Sequence, residues 1–313
     1  MLRFFSFRLA AMVATVLGVA MAASLLLTVL PGDAARLMVG TEASPARYEA
    51  ARKALGLDEP WPARFGRWLW AAFHGELGTS FRYPAFSVAE LLRRGLAVTF
   101  PIAAVVALLA FSLGVIAGTV CAARPGSTLD LLLSTAGQTF LAIPEFWLGI
   151  LLLGLFSVRL GWFPAGGFPG WGKGQSLSYL ALPALALALP RLAYFSRLTR
   201  ATMADILSLD FVRLARAKGL QEGRVLFGHA LRNALIPLVA GLGLTFARLL
   251  GGALVIEQVF SLPGLGKLAL EAAFGRDIPL LLGLTALVTA MVAAVSTAAD
   301  LLYALLDPRI RYA

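Results

Sequence analysis

Uncharged stretches run from Leu9 to Gly32, from Gly95 to Ala123 and from Ile278 to Ala299. Each is long enough to cross a bilayer, which takes about 20 mostly apolar residues because lipid offers the backbone no hydrogen-bond partner. Three further stretches reach that length with one ionisable residue inside: Leu131–Val158 with Glu145, Tyr179–Ser196 with Arg191, and Asn233–Ile256 with Arg248. The pattern predicts an all-α, polytopic membrane protein with six transmembrane helices in one domain over 1–313. The spans fall at about 9–31, 96–122, 131–157, 179–200, 233–256 and 279–305. The first is a retained anchor or a cleaved signal peptide. Arg3, Arg8 and the run Ala20-Met21-Ala22 fit a signal, but the apolar run from 9 to 32 far exceeds a signal core of about 7–15 residues.

Between the first two spans, segment 33–94 is too long for a bare connection. Ser44 and Pro45 read as the cap and first residue of a helix, Glu49 and Lys53 are spaced for an i,i+4 pair, and Gly56 is a stop signal. A second helix from Trp61 to Phe73 places Phe65, Trp68, Leu69 and Phe73 near one side, either lying at the membrane interface or packing on the outer ends of the bundle. Between the last two spans, Glu257, Pro263, Gly264 and Gly266 belong to a stretch whose apolar residues continue from Leu268 to Phe274. It reads as a re-entrant or surface helix.

Composition sharpens this reading. Hydrophobic residues make up 59% and charged residues 14% of 313 positions, and the mean hydropathy is +0.81, against about 45–50% apolar and about 25% charged in soluble domains. The net charge of +10 could point to nucleic acid, but the basic residues sit in loops rather than on one face. Twelve lie in segments 1–8, 123–130, 197–232 and 307–313, and four in the short opposite loops 159–178 and 257–277. By the positive-inside rule both termini and the loop 201–232 are cytoplasmic, and 33–94 is extracytoplasmic. That inner loop carries an apolar run at Val225, Leu226 and Phe227, which predicts an exposed stripe covered by a partner.

Enzyme chemistry is poorly supplied. One cysteine, Cys121, excludes a disulfide framework and a multi-cysteine metal site. His74 and His229 are the only histidines, and no metal-binding or nucleophile motif surrounds them. Gly167 to Gly174 approaches the phosphate-loop pattern, but Gly174 replaces the hydroxyl residue, no strand precedes it, and it lies outside; it is a loop. Gly114 and Gly118 form a small-xxx-small pair for helix packing. Glu145, Arg191, Arg248 and Asp300 are the ionisable residues within spans. Arg191 and Asp300 lie near enough to the inner side to snorkel, whereas Glu145 and Arg248 are pathway candidates, with Glu145 lining a path or held in a structural pair.

A series of motifs across nearly the whole chain resembles the permease subunits of binding-protein-dependent ABC importers, in the dipeptide/oligopeptide/nickel branch. They are Ala54-Leu-Gly-Leu-Asp58, Gly75-Glu-Leu-Gly78, Ile143-Pro-Glu-Phe-Trp147-Leu-Gly149, Gly161-Trp-Phe-Pro-Ala-Gly-Gly167, Phe211-Val-Arg-Leu-Ala-Arg-Ala-Lys-Gly219-Leu, His229-Ala-Leu-Arg-Asn-Ala-Leu-Ile-Pro237, Val255-Ile-Glu257, Leu262-Pro-Gly-Leu-Gly266 and Asp307-Pro-Arg-Ile-Arg-Tyr312.

The resemblance implies a type I ABC importer permease fold in a bacterial inner membrane. It also implies a second homologous permease subunit, two cytosolic ATPases that hold ATP and magnesium, an extracytoplasmic substrate-binding protein, and no cofactor or catalytic residue on this chain. The family's coupling motif, aligned on Gly219, places Arg213, Leu214 and Ala215 at its Glu-Ala-Ala positions. Of those three only Ala215 matches; His229, Leu231 and Arg232 then stand at its isoleucine, leucine and proline. The implied ATPase-coupling residues are Phe211, Arg213, Ala215, Arg216, Ala217, Lys218, Gly219, Val225, Leu226, His229, Leu231 and Arg232. Peptides are the favoured solute, with nickel or other metal chelates, opines and glutathione carried by relatives of the same pattern. A stand-alone channel or secondary transporter is the alternative of another class. It would call for internal inverted repeats, which the chain does not show, and would leave the long inner loop unexplained.

Overall fold

The computed structural model describes residues 2–29, 34–40, 43–54 and 56–306; the motif at 307–312 lies outside them. The described chain is helical, with one isolated antiparallel bridge between Thr79 and Ser87. In order the helices are α1 (Leu2–Val29), α2 (Ala34–Val39), α3 (Pro45–Ala54), α4 (Trp61–Phe73), α5 (Val88–Ala123), α6 (Thr128–Ala142) and α7 (Glu145–Leu152, continued by a wide π turn to Arg159). They are followed by α8 (Ser176–Leu207), α9 (Asp210–Ala217), α10 (Leu231–Gly252, preceded by a π stretch from Arg224), α11 (Leu254–Val259), α12 (Leu265–Phe274) and α13 (Ile278–Leu306).

Five helical runs are long and apolar enough to cross a membrane: Ser6–Leu27, Val88–Ala123, Ser176–Leu207, Arg224–Gly251 and Ile278–Leu302. The sixth expected span, 131–157, is not one straight rod. It breaks between Ala142 and Glu145 and bends by 104°. The cause is Pro144, which has no N–H to donate and drives the residue before it out of the helical region; Ile143 accordingly sits at φ −82°, ψ 127°. The total is six spans only when this bent pair counts as one. Two other boundaries move. α8 runs on to Leu207, so its 32 residues extend about 48 Å at about 1.5 Å each, beyond a hydrocarbon core of about 30 Å. Helix also resumes by Arg224, so the inner loop narrows to the stretch around α9.

The chain divides into two compact units, 1–99 with 263–294, and 100–262 with 295–313. The first has its core where Val88, Leu91 and Leu92 of α5 meet Leu265 and Ala272 of α12 and Leu280 and Leu284 of α13. Asp277, fully buried, caps α13 by accepting from the Leu280 N–H (3.2 Å), and it also accepts from the Arg82 N–H (3.1 Å) and the Ser80 hydroxyl. Tyr83 donates to Glu271 (2.7 Å) and Thr99 Oγ1 accepts from the Leu265 N–H (2.8 Å), so the 80–83 turn, α5 and α12 share one polar seam.

In the same unit α4 packs along α1, with Trp61 Nε1 donating to Ser24 Oγ (3.1 Å) and Trp68 and Phe73 beside Met12 and Val16. Trp70 and Phe73 remain largely exposed. The ion pair beyond α3 joins Arg52 to Asp58 (2.7 Å) rather than Glu49 to Lys53.

In the second unit α8 is the central element, flanked by α6, α7 and α10. Phe195 and Met203 of α8 are fully buried, and Met203 packs with Val115 of α5 and Leu238 of α10. Close approach of α5 to α8 requires Gly114 and Gly118. A Cβ at Gly114 would lie 2.6 Å from Phe195 Cβ, and one at Gly118 2.6 Å from Thr199 Cβ.

Candidate functional site

The segment read as a coupling loop is a compact helix–turn–helix. α9 begins with Asp210, well placed against the positive helix end, and buries Val212 and Ala215 on one face. It ends in a Schellman turn: Gly219, at φ +78°, donates to the Arg216 carbonyl (2.9 Å) and Leu220 N–H to the Ala215 carbonyl (3.4 Å). Leu220 folds back on Val212, Ala215 and Val225, so one apolar cluster joins α9 to the helix that follows. Arg216 clasps Glu222 with two hydrogen bonds (2.6 and 3.1 Å). That bond is the main cause holding the Glu222 carboxyl below its usual range, and the same bond raises Arg216. Both side chains are about half exposed, so the pair contributes only about 0–1 kcal/mol. The turn is held mainly by glycine geometry and the apolar cluster.

The predicted exposed stripe needs correction. Val225 is fully buried and Leu226 nearly so, Val225 against α9 and Leu226 against Met203, Ala230 and Ala234. Only Phe227 of that trio is exposed. A run of three apolar residues on a helix cannot all point one way, and the inward pair secures the element to its own chain. The apolar groups left outward are Leu209, Phe211, Leu214 and Phe227; Leu209 was missed by the sequence argument, although its position at the head of α9 could have marked it. Arg213, Arg216, Ala217, Lys218, Gly219, His229 and Arg232 are also exposed, Ala215 is buried, and Leu231 is half-buried.

Deeper in the same unit, Glu145 does not stand alone. Its carboxylate is 3.0 Å from Arg191 Nη1, and Arg191 also donates to the Leu187 carbonyl (2.7 Å). Arg191 is therefore a half-buried partner rather than a snorkelling surface group, and the pair compensates two charges that hydrocarbon would penalise. Arg248, the other pathway candidate, lies exposed on α10, and the structure does not bring it to Glu145. Asp300 is half-buried on α13.

A second tie was not anticipated. Asp130, 4% exposed, takes Arg200 Nε and Nη2 at 2.7 and 2.8 Å, the Gly126 N–H at 2.9 Å and the Ser134 hydroxyl at 3.3 Å. Ser127 caps α6 by accepting from the Asp130 N–H (3.3 Å), so Ser127-x-x-Asp130 is a capping signature visible in the sequence. Its partner, 70 residues away, is not. Together the two ion pairs fasten α8 to α6 toward its C-terminal end and to α7 near its middle.

Glu257 is buried in α11, and the helix expected beyond Pro263 is α12, entered through Gly264 in extended conformation, with Gly266 in its first turn. The glycine-rich stretch 167–174 is an irregular loop.

Comparison with known proteins places these elements in context. Residues 110–312 match the family model described as "Binding-protein-dependent transport system inner membrane component", and residues 1–89 match the model of the N-terminal part of such membrane components. A putative peptide transport system permease protein of Brucella abortus is 39% identical over 316 residues, covering 97% of this chain and 98% of that protein. An oligopeptide transport system permease protein of Bacillus subtilis is 38% identical, covering 95% of each chain. A glutathione transport system permease protein of Pectobacterium atrosepticum is 39% identical over the full length of both. Among solved structures, the inward-facing methionine ABC transporter MetNI aligns with a TM-score of 0.59 at 20% identity, over 69% of this chain and 96% of that one, a likeness of fold.

Proposed function

The chain belongs to the family of inner membrane components of binding-protein-dependent transport systems, a multi-pass permease of the inner membrane, and from that premise we propose that it forms half of the translocation path of an ATP-driven importer of di- and oligopeptides. The peptide assignment rests on the names of the Brucella and Bacillus relatives. The glutathione relative extends the same chemistry to a small peptide-like anion. A second homologous permease would complete the path, and an extracytoplasmic binding protein would deliver the solute. Two cytosolic ATPases would bind ATP and magnesium and carry out hydrolysis. The arginine distribution supports cytoplasmic termini.

The observation that carries this reading is the α9 helix–turn–helix with Phe211, Leu214 and Phe227 outward. An apolar surface on an otherwise basic loop fits a groove in a soluble partner. Force applied there has a direct route. α9 follows α8 after two residues, and the helix after Gly219 runs on into α10. α8 is tied by Arg200 to α6 and by Arg191 to α7. Closure of the ATPases would thus move α8 and α10 as levers and carry the broken span along, the rigid-body rocking expected of alternating access.

A photo-cross-linker replacing Lys218 tests the assignment in intact cells. Capture of a nucleotide-hydrolysing subunit is the expected result. A chain that conducts solute by itself in liposomes, with no such capture, overturns it in favour of a channel.

A further inference from the structure

α8 presents three arginines, and two are spoken for: Arg191 by Glu145 and Arg200 by Asp130. The third, Arg197, is exposed and makes no ion pair or hydrogen bond with any described residue. It lines a groove of about 370 Å³ between α6 and α8, where Ser134 and Gln138 stand on one wall and Ser196 and Arg200 on the other. That volume is within the range of about 300–1,000 Å³ typical of small-molecule clefts. No carboxylate is among the described residues that line it, and Asp130, one turn before Ser134, is consumed by Arg200.

A guanidinium, an amide and hydroxyls cannot face hydrocarbon cheaply, so this groove opens on water. The guanidinium fork matches a carboxylate with two parallel hydrogen bonds, and Gln138 and Ser196 supply further donors.

We propose that the α6–α8 groove is a carboxylate-binding station for the transported solute, with Arg197 as the group that holds the anionic end. The proposal rests on the importer reading above and deepens it: the solute class is small molecules with a free carboxylate, a peptide C-terminus among them. The Asp130–Arg200 ion pair keeps the two walls in register, and the groove lies on the element the coupling helix would move. A solute held there would therefore be released as α8 shifts against α6.

The test uses the complete transporter, with its partner permease and ATPases, purified in detergent without the binding protein so that solute reaches the groove directly. Ala201→Cys, which lines the same groove and brings no polar group to it, is introduced as a reporter; the one native cysteine, Cys121, is buried and silent to a polar thiol reagent. Trialanine and trialanine amide are the probes. Trialanine at twice its half-saturating concentration should slow labelling of the reporter about threefold, following 1 + [L]/Kd. The amide should leave the rate unchanged, and Arg197→Gln should abolish the protection. Equal protection by both peptides, protection that survives Arg197→Gln, or none at all overturns the station.

Uptake of trialanine by the wild-type transporter in proteoliposomes, with binding protein present, separates the two claims. Uptake without protection removes the groove and leaves the peptide importer standing, whereas a transporter that moves no trialanine removes the peptide reading and the station with it.

Discussion

Gly219 allows the coupling scheme to be tested by conformation rather than by size. Its φ of +78° lies in the left-handed region, and a Cβ built on it meets no atom within 4 Å. Space is therefore free, and the only penalty of a side chain is the backbone conformation, about 1–2 kcal/mol for an ordinary L-residue. Asn tolerates this region better than Ala, and β-branched residues tolerate it worst.

The population of the closed turn should fall about 5–30-fold for Gly219→Ala, less for Gly219→Asn and more for Gly219→Val. The buried cluster of Val212, Ala215 and Val225 keeps the helices themselves intact. Each variant should insert normally and lose solute-stimulated ATPase activity and uptake in the order Asn, Ala, Val. Reconstituted proteoliposomes with the ATPases and binding protein measure both activities, and detergent extraction followed by size-exclusion chromatography checks insertion. Asn is larger than Ala, so losses ordered by volume, or no loss in any variant, would refute the idea that the left-handed turn sets the coupling geometry.

Three more outcomes are expected. Arg200→Gln should lower the melting temperature of the purified protein more than Asp130→Asn, because it strands a buried carboxylate whereas the converse change leaves a half-exposed guanidinium in reach of water; equal shifts would contradict this. Gly118→Val should cost about 1–3 kcal/mol by overpacking against Thr199, read as a fall in melting temperature that Gly18→Val, in open space, does not share. The Arg216–Glu222 clasp has a defined acid limit. Glu222 is held below the ordinary glutamate value of 4.5 by Arg216, so its contribution is full above that value and fades as pH falls through the lowered one. A nitroxide on Lys218→Cys should gain mobility over that window, and the transition should be missing in Glu222→Gln.

Local signals carried much of the fold into the sequence. The Ser44-Pro45 start gave α3, the spacing of Phe65, Trp68 and Phe73 gave α4, and the uncharged runs gave the long helices. What failed to show was always a relation between distant residues or a direction. Hydropathy records that 131–157 is apolar but not that Pro144 turns it through 104°. Glu145 and Arg191 are 46 positions apart, so the ion pair between them could not be read from the neighbourhood of either. Val225 and Leu226 read as an exposed stripe because nothing in their own neighbourhood announces Val212, Ala215 and Met203 as the surfaces that cover them. Arg197 drew notice only as one more inner positive charge; its isolation became visible once its neighbours' partners were in place.

The break at Ile143-Pro144 also bears on how the chain is made. α6 has 15 residues, a rod of about 22 Å against a core of about 30 Å, and the arm from Glu145 to Arg159 is no longer. Neither piece crosses the bilayer as a lone straight rod, and the Glu145 carboxylate would enter it without a counterion. That counterion, Arg191, lies on the next helix to be synthesised. Entry of the bent segment together with α8 spares the carboxylate that exposure and so favours insertion of the two as a pair.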